Sequence, residues 1–169
     1  MNINIMPIGP LSNLGSSVKI ELNKNKYYPG EEIEFIVSIK TLSDVKARAV
    51  VATLYCVEHE KKTVIKQMTH EELREMKELG VPVGERMVKE EHEEKKITYE
   101  SKIKLADEIV IKSNKFEGKI SLPIDAEPTS YEYGHDNKLT HWYLKITVDI
   151  PNAFDINAEK EVLVAGLSV

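Results

Sequence analysis

Residues 116–151 read FEGKISLPIDAEPTSYEYGHDNKLTHWYLKITVDIP: an apolar strand stopped at Pro123, a corner marked by Pro123 and Pro128, a polar loop, and a second apolar strand stopped at Pro151. Proline has no amide proton to give to a ladder. Neither corner proline therefore sits inside a central strand, and the chain between them must leave one sheet edge for another place. In the second strand Trp142, Leu144, Ile146, Val148 and Ile150 recur at every second position, with His141, Tyr143, Lys145, Thr147 and Asp149 between them. A period of two buries one face and wets the other. This segment reads as the corner and a core strand of an all-β antiparallel sandwich.

Upstream, the same alternation appears twice, in Val18, Ile20 and Leu22 and again in Ile33, Phe35, Val37 and Ile39. Between these strands stands Tyr28-Pro29-Gly30-Glu31, in which proline sets the first turn dihedral and glycine accepts the positive second one of a type II turn. Residues 45–58 are apolar on both parities in their second half, which predicts a strand covered on both faces or carrying a bulge. Ala47, Ala49 and Ala52 are poor strand formers, so close packing must hold them there. The period then changes. Thr69 followed by Glu72 forms a capping box, and Leu73, Met76 and Leu79 share one face before Gly80 and Pro82, predicting a short helix laid over a sheet edge or between the sheets. Residues 84–105 are charged and weakly alternating, consistent with a strand having one wet face or with a projecting hairpin. Residues 108–112 read as a short strand, 152–157 as a turn, and a last strand begins at Glu161.

The chain of 169 residues fits one domain, expected over 16–169 after a lead-in at 1–15. Its 41% apolar and 30% charged composition contains no apolar run of the length that spans a bilayer, and the N-terminus lacks the pattern of a secretory signal. A cytoplasmic location is expected. The net charge of −5 argues against binding nucleic acid. Arginine appears only as Arg48, Arg74 and Arg86 among 23 basic residues, and the abundance of lysine and glutamate is of the kind seen in hyperthermophile proteins.

Three features, taken in order, resemble the N-terminal domain of arrestins and the arrestin-like proteins of the retromer coat and of bacterial sporulation control. They are the Tyr-x-Pro-Gly-Glu turn ending at Glu31, the Leu-Pro-x-x-Ala-x-Pro-Thr-Ser corner from Leu122 to Ser130, and the Trp142-Tyr143-Leu144-Lys145 strand ending in Asp149-Ile150-Pro151. The resemblance covers roughly Val18 to Val164 and implies an immunoglobulin-like sandwich of two antiparallel sheets with one short helix, as the strands and corner indicate by themselves. It also implies a non-enzymatic adaptor or scaffold that binds other proteins. The first strand, Val18-Lys19-Ile20-Glu21-Leu22, lacks the lysine pair with which vertebrate arrestins sense phosphate, so phosphoprotein recognition does not carry over. Arrestins have two sandwiches where this chain has residues for one, which makes a homodimer an expected assembly. A purely structural homo-oligomer is an alternative reading.

No catalytic set and no nucleotide-binding glycine pattern is present, so no cofactor is expected. The candidate for a metal site or a hydrolase is His135, Asp136 and His141, joined by His59 or His92, weighed against solvated loop groups. Cys56, the single cysteine, falls in a strand interior and reads as a buried thiol. For partner binding the loop residues Tyr131, Tyr133 and His135 are the candidates: aromatic anchors beside a glycine, unless the loop packs down on the sandwich. Edge strands offer a further route by strand addition, with the charged run at 89–96 acting as protection.

Overall fold

The computed structural model describes residues 15–80 and 87–166. Its elements are β1 (Ser17–Leu22), β2 (Glu32–Gln67), α1 (His70–Glu78), β3 (Met87–Ser121), β4 (Lys138–Asp149) and β5 (Ile156–Val162). All strand pairs are antiparallel. The turn between β1 and β2 is the one the sequence predicts: Glu31 N–H donates to Tyr28 O at 3.0 Å, and Gly30 takes a φ of +82°, which a side chain disfavours.

β2 and β3 are each one long strand where the sequence suggested several. No glycine or proline stands between Ile39 and Val45 or between Leu105 and Phe116, so nothing forces a turn there, and the chain bends by bulges instead. At the largest bulge Lys40 pairs with Ser113 and Val45 with Ile111, so four residues of β2 oppose Lys112 alone. Smaller shifts follow at Val50/Val51 and Cys56/Val57. Before the bend β2 pairs with β1, and after it the same edge pairs with β4, while β3 follows the other edge throughout. The bend thus carries both strands from a first layer (β1, early β2, late β3) into a second (early β3, late β2, β4, β5).

One buried cluster joins the layers. Ile33, Phe35, Val37 and Ile39 enter it from the first, and Val50, Leu54, Trp142, Leu144, Ile146 and Val148 from the second. Buried residues on β2 fall at odd positions through Ala47 and chiefly at even ones from Val50, with Thr53 and Val57 buried as well, which explains the mixed pattern of residues 45–58. Ala47 and Ala52 are buried as small residues in this packing. Gly118 has a similar reason: the Phe35 ring covers it, and a Cβ there would lie 2.4 Å from Phe35 Cζ. The proline corner crosses between layers as expected. Leu122 and Ala126 are buried, Trp142 Nε1–H donates to Glu127 O at 2.8 Å, and Thr129 N–H donates to Val164 O at 2.8 Å. On one side β1 and β5 meet, with Lys160 Nζ donating to Ile20 O at 3.1 Å and Tyr27 bridging Val164.

Three expectations change. The final strand begins at Ile156, inside the segment read as a turn, because Ile156 and Ala158 take inward positions opposite Val148 and Ile146. The segment from 84 onward, described from Met87, is both alternatives at once: part of a sheet strand, and, with the end of β2, a two-stranded arm in which Lys61–Gln67 face Glu93–Met87. The helix lies over no sheet. α1 follows the arm's first strand and has no buried residue; Leu73 and Met76 are half-buried and Leu79 is exposed. Pro82 and residues 84–86 lie outside the described residues, as does the lead-in apart from Gly15.

Candidate functional site

The outer face of the second layer carries an aromatic platform where a solvated sheet usually carries lysine and glutamate. Tyr55 and Val57 of β2 stand opposite Tyr143 and His141 of β4, and Tyr143 stands in turn opposite Glu161 of β5. Facing side chains on adjacent strands are within contact range. The Tyr55 and Tyr143 rings stack at 5.5 Å, His141 and Tyr143 at 6.3 Å, and His59 meets His141 edge-on at 6.1 Å. Tyr131, from the loop before β4, adds a fourth contact, 5.4 Å from His141.

Carboxylates hold the polar tips of these rings other than Tyr143. Tyr55 OH donates to Glu159 at 2.8 Å; Tyr131 OH donates to Glu161 at 3.1 Å, and the same oxygen lies 3.1 Å from His141 Nδ1. A parallel arrangement stands beside it. Glu93 on β3 lies 2.8 Å from His59 Nδ1, with the Tyr133 hydroxyl nearby. His59 chiefly, with help from Tyr133, holds the Glu93 carboxyl below its ordinary range. The phenols move the other way: burial first, and then the neighbouring carboxylate, raises Tyr55, Tyr131 and Tyr143. All three are neutral at physiological pH.

These contacts fix the loop between the corner and β4. Tyr131 is fastened to β5, while Lys61 Nζ sits 4.3 Å from the Tyr133 ring centre and Lys61 N–H donates to Asn137 O. Of the three predicted partner-binding residues, Tyr131 and Tyr133 reach the platform, Tyr133 half-buried and Tyr131 62% exposed at its rim. His135 is exposed in the turn beyond them. The set His135, Asp136 and His141 does not come together: Asp136 accepts from Lys138 N–H, whereas His141 faces Glu161. Among the described residues no three His, Cys, Asp or Glu side chains are placed to hold a metal ion. Cys56 is buried, and burial raises its thiol, the opposite of what a nucleophile needs.

Loop reasoning missed Tyr55, His59, Tyr143, Glu93, Glu159 and Glu161. The signal was in the alternation itself. The outward parity of β4 begins His141, Tyr143, and that of β2 includes Tyr55, although a face left to solvent has no need of rings.

No curated protein matches the chain in sequence. Among solved structures, the crystal structure of Spo0M, sporulation control protein, from Bacillus subtilis is similar over 88% of this chain and 49% of that one, with a TM-score of 0.56 and 18% identity. This is a likeness of fold, and the chain spans about half the length of that protein. The model of the family described as arrestin (or S-antigen), N-terminal domain, matches residues 17–168, taking in the turn, the corner and every strand described above; the chain belongs to that family.

Proposed function

We propose that the protein is a cytoplasmic, non-enzymatic interaction module, residues 16–169 acting as one domain that binds another protein on the aromatic platform of its second layer. Arrestin-like proteins are in general adaptors and scaffolds, which supports the class of function. The observation that carries the choice of surface is the run of rings from Tyr55 through Tyr143 and His141 to Tyr131, with the polar tips of Tyr55, His141 and Tyr131 held by carboxylates. Rigid aromatic side chains with few rotatable bonds give up little entropy on docking, and tyrosine is enriched among the residues that dominate interface energies.

Crosslinking from native lysate, followed by peptide identification, names the partner and the face it touches. Tyr131→Ala then tests the surface with the purified partner, since this exposed side chain contributes little to folding. A hot-spot tyrosine lost at the rim weakens binding by about thirtyfold, with the melting temperature unchanged. Crosslinks confined to another face, or an unchanged affinity, overturn the assignment.

A further inference from the structure

The two sides of the sandwich are unequal. Where β1 meets β5 the edge is closed by the Tyr27–Val164 bridge and by Lys160, whereas on the other side β3 is, among the described residues, bonded to β2 alone. Its inward-facing Tyr99, Ile103, Leu105 and Phe116 are only half-buried, although their neighbours on β2 and β4 are fully buried. Apolar surface and backbone groups are thus left along one line.

Shifts of register interrupt that line. Bulges twist an edge away from a would-be partner, and Glu108 has a φ of +37°. Tyr99–Lys104 faces Cys56–Val51 in unbroken register; Met87–Ile97 in the arm and Ser113–Ser121 in the first layer are likewise unbroken. At Ser113–Ser121, however, Ile120 is buried and Lys119 is engaged by Glu34 at 2.5 Å, whereas Tyr99 and Ile103 are both half-buried. A regular edge is a template for another strand.

The charge pattern sets the register. Tyr99-Glu100-Ser101-Lys102-Ile103 matches itself when read antiparallel about Ser101. A two-fold axis normal to the sheet at Ser101 sets Glu100 against Lys102 of a second copy and Lys102 against its Glu100, with Tyr99 against Ile103 on the inner face. Moving the axis by one residue sets Glu100 against Glu100, or Lys102 against Lys102, and like charges directly opposite are unfavourable. Glu100 and Lys102 are exposed and pair with each other along the strand at 2.6 Å, so both are free to exchange that contact for one across the axis. We infer that the edge of β3 from Tyr99 to Ile103 joins two copies of this chain through an isologous antiparallel strand pair centred on Ser101. The pair continues the second layer through both copies and covers the half-buried side chains. It lies one strand from the platform, with Glu100 opposite Tyr55, and does not rest on the function proposed for that surface.

Light scattering over a dilution series is expected to give a mass near twice 19.2 kDa at the upper end. Residues facing across an antiparallel pair have Cα atoms within disulfide reach, so Ser101→Cys is expected to yield a crosslinked dimer on mild oxidation. The native Cys56 is buried and leaves the background low. Lys102→Glu, at an exposed position, is expected to weaken association by at least about tenfold, because each copy then sets two glutamates face to face. Glu100→Lys together with Lys102→Glu restores it. A monomer at every concentration, a dimer that Ser101→Cys fails to crosslink, or a dimer indifferent to Lys102→Glu each overturns the inference.

Discussion

The body of the molecule and the arm that leaves it are made from the same two strands, yet they are held by different forces. In the body, β2 from Val50 to Cys56 buries side chains against β4 and the first layer, and its ladder is flanked on both edges. In the arm the same strand has β3 as its one partner, and residues 61–65 are exposed. Ion pairs stand where the core was. Glu60 and Glu94 face each other in register, and Lys62 lies against both; Lys66 reaches Glu90 at 2.5 Å and Glu72 at 3.4 Å. A hydrogen-bonded ladder that runs unbroken from body to arm therefore does not imply one level of stability. A lone two-stranded ribbon is marginal in water, and exposed ion pairs add little.

The largest effect that can test this contrast is in the body. Trp142 fills the core, rests on Tyr99 at 5.5 Å and satisfies the carbonyl of Glu127. Trp142→Ala should cost about 3–5 kcal/mol of global stability, read as a lowered urea midpoint. Ile65→Ala removes a comparably apolar group from the arm, where it is 57% exposed, and should leave that midpoint unmoved. If the two truncations are alike in cost, body and arm are one cooperative unit and the comparison fails.

A smaller effect concerns the helix beyond the arm. Its capping box is complete: Thr69 Oγ1 accepts from Glu72 N–H at 3.3 Å, and Glu72 accepts from Thr69 N–H at 2.8 Å. With no residue buried, α1 depends on local terms, and Thr69→Ala should remove about 1 kcal/mol of them. Hydrogen exchange should report faster opening of residues 70–78 with no change in the core strands.

The body was legible from sequence because its information is periodic. Trp142 to Ile150 alternate, Pro123 and Pro128 mark the crossing, and Pro29-Gly30 fixes the turn. What misled was the absence of punctuation. Bulges at 41–44 and near Thr98 and Leu105 have no residue signature as strong as proline or glycine, so β2 and β3 read as fragments. The helix stripe Leu73, Met76, Leu79 misled in the opposite sense, since an apolar face suggests a partner surface that the fold does not supply. Two rings at the edge of the platform, Tyr131 and Tyr133, were read from the loop. The rest comes from register, which sets Tyr55 beside Tyr143 and Tyr143 beside Glu161, and no single strand contains that pairing.

The finest test of the contrast is acid. Along the arm Lys66 holds Glu90 below its ordinary range, Lys62 does the same for Glu94, and the backbone N–H of Thr69 does so for Glu72. A carboxylate whose folded pKa lies below its unfolded one contributes stability that is complete above the unfolded value, here 4.5, and is lost as the pH falls through the depressed folded value. Neutral pH therefore keeps the arm's pairs, and acidification below 4.5 removes them while the apolar cluster under Trp142 is untouched by the loss. Exchange protection, corrected for the intrinsic rate at each pH, should fall in residues 61–67 and 87–93 at a higher pH than in residues 50–56 and 142–148. Molar salt at neutral pH should reproduce part of the effect, because it shortens the screening length to about 3 Å. Equal loss of protection in arm and body on acidification would mean that the ladder transmits stability along β2, and that the ion pairs are not what holds the arm.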